Sequence, residues 1–478
     1  METTAPRASR TFRNAVATSR LTLPLICLAQ LMATLDVTIV NLALPAIQHD
    51  LAMSNAGLAW VVDAYTLGYA GLLLLGGRAG DLLGHRRTLM IGIAAFTIAS
   101  IVAGLAEGAG VLLGARAVQG LGAALATPTT LSLITILTST GPRRTRAMVA
   151  YGSMAGIGIT LGLVLGGVLT EHASWRWVFW VNVPLGVVVL IGAARLLPDT
   201  RGRRRRLDPA GAALSTAALV ALVYGIVRAG THEWGETWST AGLATGVLGL
   251  AAFVVVESRV AEPTLPLALL RHRVRLGAYL VAGLLFAALY PAFFLLSRSL
   301  QDVAGLDPLD AGLRFLPIGA GVLVFAVAAR RLLPRVGTTA LVVGGTAAAT
   351  LGSLALVGLD PHSGYALLLL PSLVGLGAGV GTTFVATSAM AMTDVEESDM
   401  GIASGLVSTF QAVGGTLGVA VVAALAAART ERSLDGLVPT PEVVRAALLH
   451  GFDLGFAVAA ALAALATLVA ALTPQLRR

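Results

Sequence analysis

The 478-residue chain has no lysine; all 33 of its basic residues are arginine. That absence removes the phosphate-binding lysine of a P-loop and any lysine for a Schiff base, so both chemistries are excluded. There is one cysteine, Cys27, which permits neither an internal disulfide nor a cysteine metal site and suits a packing role. The seven histidines are scattered, with no pair at metal-ligand spacing, so no metal and no cofactor are expected. Charged residues make up only 12% of the chain, about half of what a soluble domain carries.

What is present is apolar: 56% of residues are hydrophobic and the mean hydropathy is +0.83. Apolar runs of about 20 residues, the length that spans a bilayer core, recur along nearly the whole chain. Fourteen such spans are expected, starting near Leu21, Gly57, Thr88, Val111, Ala147, Trp177, Asp208, Thr240, Leu276, Leu309, Thr339, Tyr365, Gly401 and Gly451. The first follows four arginines but is longer than a signal core, so it reads as a retained helix.

Arginine placement gives the orientation. With a cytoplasmic N-terminus, 25 arginines fall in inside segments and seven outside, and Arg116 alone lies within a span. This is the positive-inside pattern, with both termini cytoplasmic. It also accounts for RGRRRR, residues 201–206, as a topology anchor beside anionic lipid heads; nucleic acid is not an expected partner.

The two halves echo one another weakly, as in transporters built from repeated units. GGRAGDLLGHRR lies between the second and third spans, and ARRLLPRVG lies between the corresponding spans of the second half. Gly-x-Gly runs such as GLGAGVG, residues 375–381, sit inside apolar spans and suit close helix packing.

Six motifs in order carry a family resemblance: LDVTIVNLALP, GRAGDLLGHRR, RAVQGLGAA, GITLGLVLGG, WRWVFWVNVPLG and GIASGLVSTFQAVGGTLGVA. The chain resembles the major facilitator superfamily, in its fourteen-span drug:proton antiporter branch. The resemblance implies an all-α integral membrane fold of two six-helix bundles, residues 1–206 and 259–478, with two further helices, 207–258, between them. It implies proton-coupled efflux of amphipathic drugs, antibiotics or related natural products by alternating access, powered by the proton gradient. The expected setting is a multi-pass monomer in a bacterial cytoplasmic membrane. Proton-coupled or facilitated uptake of a small organic metabolite on the same fold is the alternative.

In the loop motif, Gly77 and Gly84 permit a tight turn, and Asp81 is placed to accept from backbone amides or from Arg86 and Arg87. The chain has Leu82 where the family usually has a basic residue and His85 in place of arginine, which implies a weaker or pH-responsive lock. In the fifth span Gly158, Gly162, Gly166 and Gly167 allow close packing on another helix, a pivot for rocking halves. The family's proline is replaced by Leu163.

At 100° per residue, Gln30, Thr34, Thr38 and Asn41 form one stripe about 80° wide, while Asp36 points the opposite way. The stripe reads as cavity lining, and Asp36 as facing a helix of its own bundle. An intramembrane carboxylate is costly unless paired or protonated, so Asp36 is a candidate for proton coupling or gating, or for hydrogen-bonded helix packing. Arg116 lines up with Gln119, Thr127 and Thr130 and is either a cavity residue that biases proton release or one end of a structural ion pair. Asp63 shares a face with Thr66 and Ala70; it attracts cations or relays protons, or it is solvated near the mouth. Gln411, in a stripe with Ser404 and Ser408, is the candidate cavity residue of the second half.

Overall fold

The computed structural model describes residues 21–138, 142–198, 209–231, 236–260, 267–359, 365–395, 400–438 and 440–473. Every described element is helical. In chain order these are α1 (Thr22–Asp50), α2 (Asn55–Leu83), α3 (His85–Gly104), α4 (Ala109–Leu137), α5 (Pro142–His172) and α6 (Trp177–Leu196). Then come α7 (Pro209–Thr231), α8 (Thr237–Arg259), α9 (Arg273–Arg298), α10 (Pro308–Val336), α11 (Thr338–Leu354), α12 (Tyr365–Ala391), α13 (Met400–Leu434) and α14 (Pro441–Leu472). Among the described residues, ten helices are long and apolar enough to cross a membrane, and three shorter apolar ones accompany them. The 29 residues of α1 rise about 43 Å, more than the hydrocarbon core needs.

Every helix begins within five residues of its expected start except α14, which begins at Pro441 rather than near Gly451. Its first turns are polar, and they are nucleated by Thr440, whose side chain accepts from the Val443 N–H, with Pro441 in the first turn. A reading of apolar runs alone passes over such a start.

The weak repeat acquires a structural meaning at two glycines. Gly84 (φ 91°) joins α2 directly to α3, and Gly337 (φ 80°) joins α10 directly to α11. Both backbones lie in the region that a side chain strains, so the same residue type makes the same linkerless turn in each half.

The two halves meet along two seams. On one, α5 packs on α10: a Cβ at Gly167 would fall 2.6 Å from Leu309 Cα, and one at Gly312 would fall 2.5 Å from the Leu163 carbonyl. On the other, α2 packs on α13, and α7 covers that seam through Leu219, Val223 and Ile226, which cluster with Leu67 and Ala420. Gly71 gives α7 its close approach, since a Cβ there would lie 2.6 Å from Thr216 Oγ1.

Apolar packing is unequal along these seams. At the end carrying loops 51–54, 105–108 and 299–307, one core joins both halves, from Leu42, Ile47 and Leu58 to Leu300, Phe315 and Phe456. At the end carrying Gly84 and Gly337 the cores separate: one contains Ile26, Phe96 and Ile134, the other Val274, Leu341 and Met390. The molecule is therefore closed at one end and parted at the other. Polar contacts agree, because Ser297 Oγ on α9 donates to the Asn41 carbonyl at 2.8 Å. The Leu309 N–H at the start of α10 donates to Glu171 Oε2 at 3.0 Å.

Candidate functional site

Asp36 lies midway along α1, is 0% exposed, and points into the first half of the chain. Arg116 on α4 donates from Nη1 to Asp36 Oδ2 at 2.5 Å. Asn182 Nδ2, where α6 restarts after Val181, donates to Oδ1 at 3.0 Å, and Gln119 Nε2 donates to the same oxygen at 3.2 Å. Gln119 also reaches Ser100 Oγ on α3 at 2.8 Å. Arg116 also donates from Nε to the Val61 carbonyl at 3.0 Å and from Nη1 to Gln119 Oε1 at 3.1 Å. The face of the guanidinium lies 4.5 Å from the centroid of the Tyr65 ring.

Each of α1, α2, α3, α4 and α6 thus contributes to one enclosed network. Such a network is tolerated in a membrane interior because the acid and the base are paired and Asp36 accepts from three side chains, although the Asn182 Oδ1 itself has no hydrogen-bond partner. The helical-wheel expectation that Asp36 faces its own bundle agrees with this geometry. Arg116 and Gln119, at 1% and 0% exposure, lie inside that network, whereas Thr127, about three turns beyond Arg116 on the same face, is half-buried. Asn182 and Ser100 were missed by sequence reasoning. Asn182 stands in the quoted WRWVFWVNVPLG motif, and a buried carboxamide in an apolar run was the available signal.

The α1 stripe is half-buried and mostly engaged. Tyr151 OH on α5 donates to Gln30 Oε1 at 2.6 Å and lies 3.0 Å from Thr130 Oγ1. Gln30 Nε2 reaches Thr34 Oγ1 at 3.3 Å. Thr38 Oγ1 donates to the Gly158 carbonyl at 3.2 Å, and Asn41 Nδ2 to the Val37 carbonyl at 3.0 Å. Gly158, Gly162 and Gly166 pack on this stripe at Thr34, Thr38 and Ile39, while Gly167 packs on α10. The glycine face of α5 therefore holds both α1 and the other half. Gln411 is half-buried on α13, one turn before Gly415, which packs on Tyr290 of α9.

Asp63 is 0% exposed, and neither carboxylate oxygen has a hydrogen-bond partner. It is buried in α2 rather than solvated near the mouth. In the loop motif, Arg86 Nη2 donates to the Ala194 carbonyl at 2.5 Å, capping the end of α6. His85 Nδ1 reaches the Gly80 carbonyl at 2.7 Å and so carries its hydrogen there. The side chains of Gly77 and Asp81 lie outside the described residues, as does RGRRRR. Asp394 sits 3.6 Å from His272 Nε2.

A helical membrane protein whose halves close at one end, around an enclosed acid–base pair and a polar stripe, is a transporter by architecture. The chain belongs to the Major Facilitator Superfamily, whose family model matches residues 26–419; it is a transporter and not an enzyme. It is 41% identical over 387 residues to the puromycin resistance protein of Streptomyces alboniger, covering 80% of this chain and 76% of that one. It is 40% identical to the cephamycin export protein of Amycolatopsis lactamdurans, covering 84% and 83%. A solved bacterial homologue of the human lysosomal transporter Spinster shares the fold, with a TM-score of 0.66, 14% identity and 98% of each chain covered.

Proposed function

We propose that this chain is a proton-coupled exporter of an antibiotic or related amphipathic natural product in a bacterial cytoplasmic membrane. Relatives named for puromycin resistance and cephamycin export support the substrate class and the direction. The reading takes the protein as a monomer of fourteen spans with both termini cytoplasmic, in two six-helix bundles bounded at 206 and 259, with α7 and α8 between them.

The observation that carries the reading is the enclosed Asp36–Arg116 pair. An ionised Asp36 holds Arg116, Gln119 and Asn182 in one arrangement. A proton placed on an Asp36 oxygen cancels the attraction to Arg116 Nη1 and releases that arrangement, giving two states that differ by one proton. With the arginine-rich ends inside, the parted end of the molecule opens to the cytoplasm and substrate enters between the α1 stripe and Gln411. Closure there and opening at the other end, with rocking about the α5–α10 and α2–α13 seams, delivers it outside. Asp63, buried without a partner, is the second acid at which a proton or a cationic substrate is held.

The test uses proteoliposomes with a trapped pH dye, an imposed proton gradient and a panel containing puromycin, a cephamycin and ethidium. Substrate-triggered proton flux that is lost in Asp36→Asn is the expected result. Substrate movement without proton flux would replace antiport by facilitated diffusion.

A further inference from the structure

Between the ion pair and the space dividing the halves stand two stacked tyrosines. Tyr65 is 2% exposed; one face of its ring carries the Arg116 guanidinium at 4.5 Å, and its ring lies parallel to that of Tyr69, at 6.1 Å and 11°. Phe96 closes its edge at 6.5 Å. Tyr69 is half-buried and stands beside Thr127. One ring thus touches the charge pair, and the next stands beside a candidate cavity residue of the first half.

We propose that the Tyr65–Tyr69 stack links substrate occupancy to the Asp36–Arg116 pair, with Tyr65 as the positioning residue for Arg116. This rests on the antiport reading above. The backbone beneath the stack is fixed: a Cβ at Gly120 would lie 3.0 Å from the Tyr65 carbonyl carbon and 2.9 Å from the Tyr69 nitrogen, so α2 and α4 are in direct contact there. At this crossing the rings, rather than the backbone, are the parts free to respond. A planar or cationic substrate packed on Tyr69 competes for its ring face, and Tyr65 follows because it is stacked on Tyr69.

Arg116 then feels the change on the face that Tyr65 covers, since its edge is held by Asp36, Gln119 and the Val61 carbonyl. The pair is faced from α2 by Tyr65, from α3 by Ser100, from α4 by Gln119 and from α6 by Asn182 and Phe179. Asp36 is the acid in contact with Arg116, and Asp63, two residues before Tyr65 on α2, is the other acid on the elements that face the pair.

The test measures binding of puromycin and ethidium to purified protein between pH 5.5 and 8.5, with proton flux per substrate in proteoliposomes, for Tyr65→Phe, Tyr65→Leu and Tyr69→Leu. Tyr65→Phe keeps the ring face and should match the parent. Tyr65→Leu should bind at pH 8 within about threefold of the parent, yet lose the pH dependence of affinity and at least about fivefold of the proton flux per substrate. Tyr69→Leu should weaken binding about tenfold at every pH. A Tyr65→Leu protein with normal pH dependence and stoichiometry overturns the link. So does parallel failure of Tyr65→Leu and Tyr65→Phe with a lowered melting temperature. Absence of substrate-driven proton flux in the parent overturns the antiport reading and the link with it.

Discussion

The interior of the first half of the chain and that of the second are built from different chemistry. Before residue 206 an acid, a base, two carboxamides and a serine from four helices satisfy one another across the bundle. After residue 259 several buried hydroxyls bond to their own helix one turn back, Thr346 to the Val342 carbonyl, Thr387 to Thr383, Thr416 to Ala412 and Ser372 to Leu368, and the exception that leaves its half, Ser297, reaches a backbone carbonyl rather than a charge. The buried arginines there, Arg275 and Arg298, stand at helix ends, and Arg298 pairs within its own segment with Asp302 at 2.8 Å. Both halves nonetheless pack as helical bundles with glycine-mediated contacts. A cross-helix ion pair is therefore not a requirement of this architecture, and its presence in one half marks where the molecule does chemistry.

The sharpest way to break the comparison is Arg116→Ala. It strands an enclosed carboxylate and leaves Gln119 and Val61 without a donor, so it should cost about 3–5 kcal/mol and abolish substrate-driven proton flux. Thermal melting in detergent and dye-reported flux check the two effects. Replacing Asp36 as well, in Asp36→Leu with Arg116→Met, makes the first half resemble the second; it should recover most of the lost stability while transport stays absent. A double variant as unstable as Arg116→Ala would make the network structural rather than functional.

The spans, the direction of Asp36 and the singular position of Arg116 were legible because each depends on local period and composition. The rest depends on contacts between distant residues. Asp36 and Asn182 are 146 residues apart, and nothing in an apolar α6 announces which carboxylate its one carboxamide meets. Nothing in the local pattern of α2 distinguishes Tyr65 and Tyr69; it is Arg116, 51 residues further along the chain, that lies over the Tyr65 ring. Asp63 looked accessible by depth, but it is fully buried, and burial depends on which helices pack on α2, which depth along one helix does not specify.

A smaller effect is expected where the two halves touch. Gly167→Leu places a side chain against Leu309 and the Pro308 carbonyl on α10, and overpacking of this kind costs about 1–3 kcal/mol. Because the clash exists only while the seam is closed, the penalty should appear as a shift toward the state open at that end. Accelerated cysteine labelling near Leu309, with binding at the parted end weakened, is the measurement. Gly158→Leu, which disturbs α5 against α1 inside one half, should lower the melting temperature without that shift.

The smallest effect tests whether the closed end is held by its polar contacts or by apolar packing. Glu171 is exposed and accepts the Leu309 N–H at the start of α10, where a negative charge is favoured by the exposed amides of the first turn. Glu171→Gln keeps an acceptor but removes the charge, so the closed end should loosen only slightly. In a Cys27→Ser background carrying Leu306→Cys, at the edge of the shared core, labelling from the side opposite the termini should accelerate about two- to fivefold, and the same acceleration should follow raised ionic strength in the unaltered Glu171 protein. No change on either treatment would assign closure to the shared core around Leu42, Leu300 and Phe315 alone. That core has no counterpart at the other end, which would make the unequal division of apolar surface, rather than any charge, the source of the resting conformation.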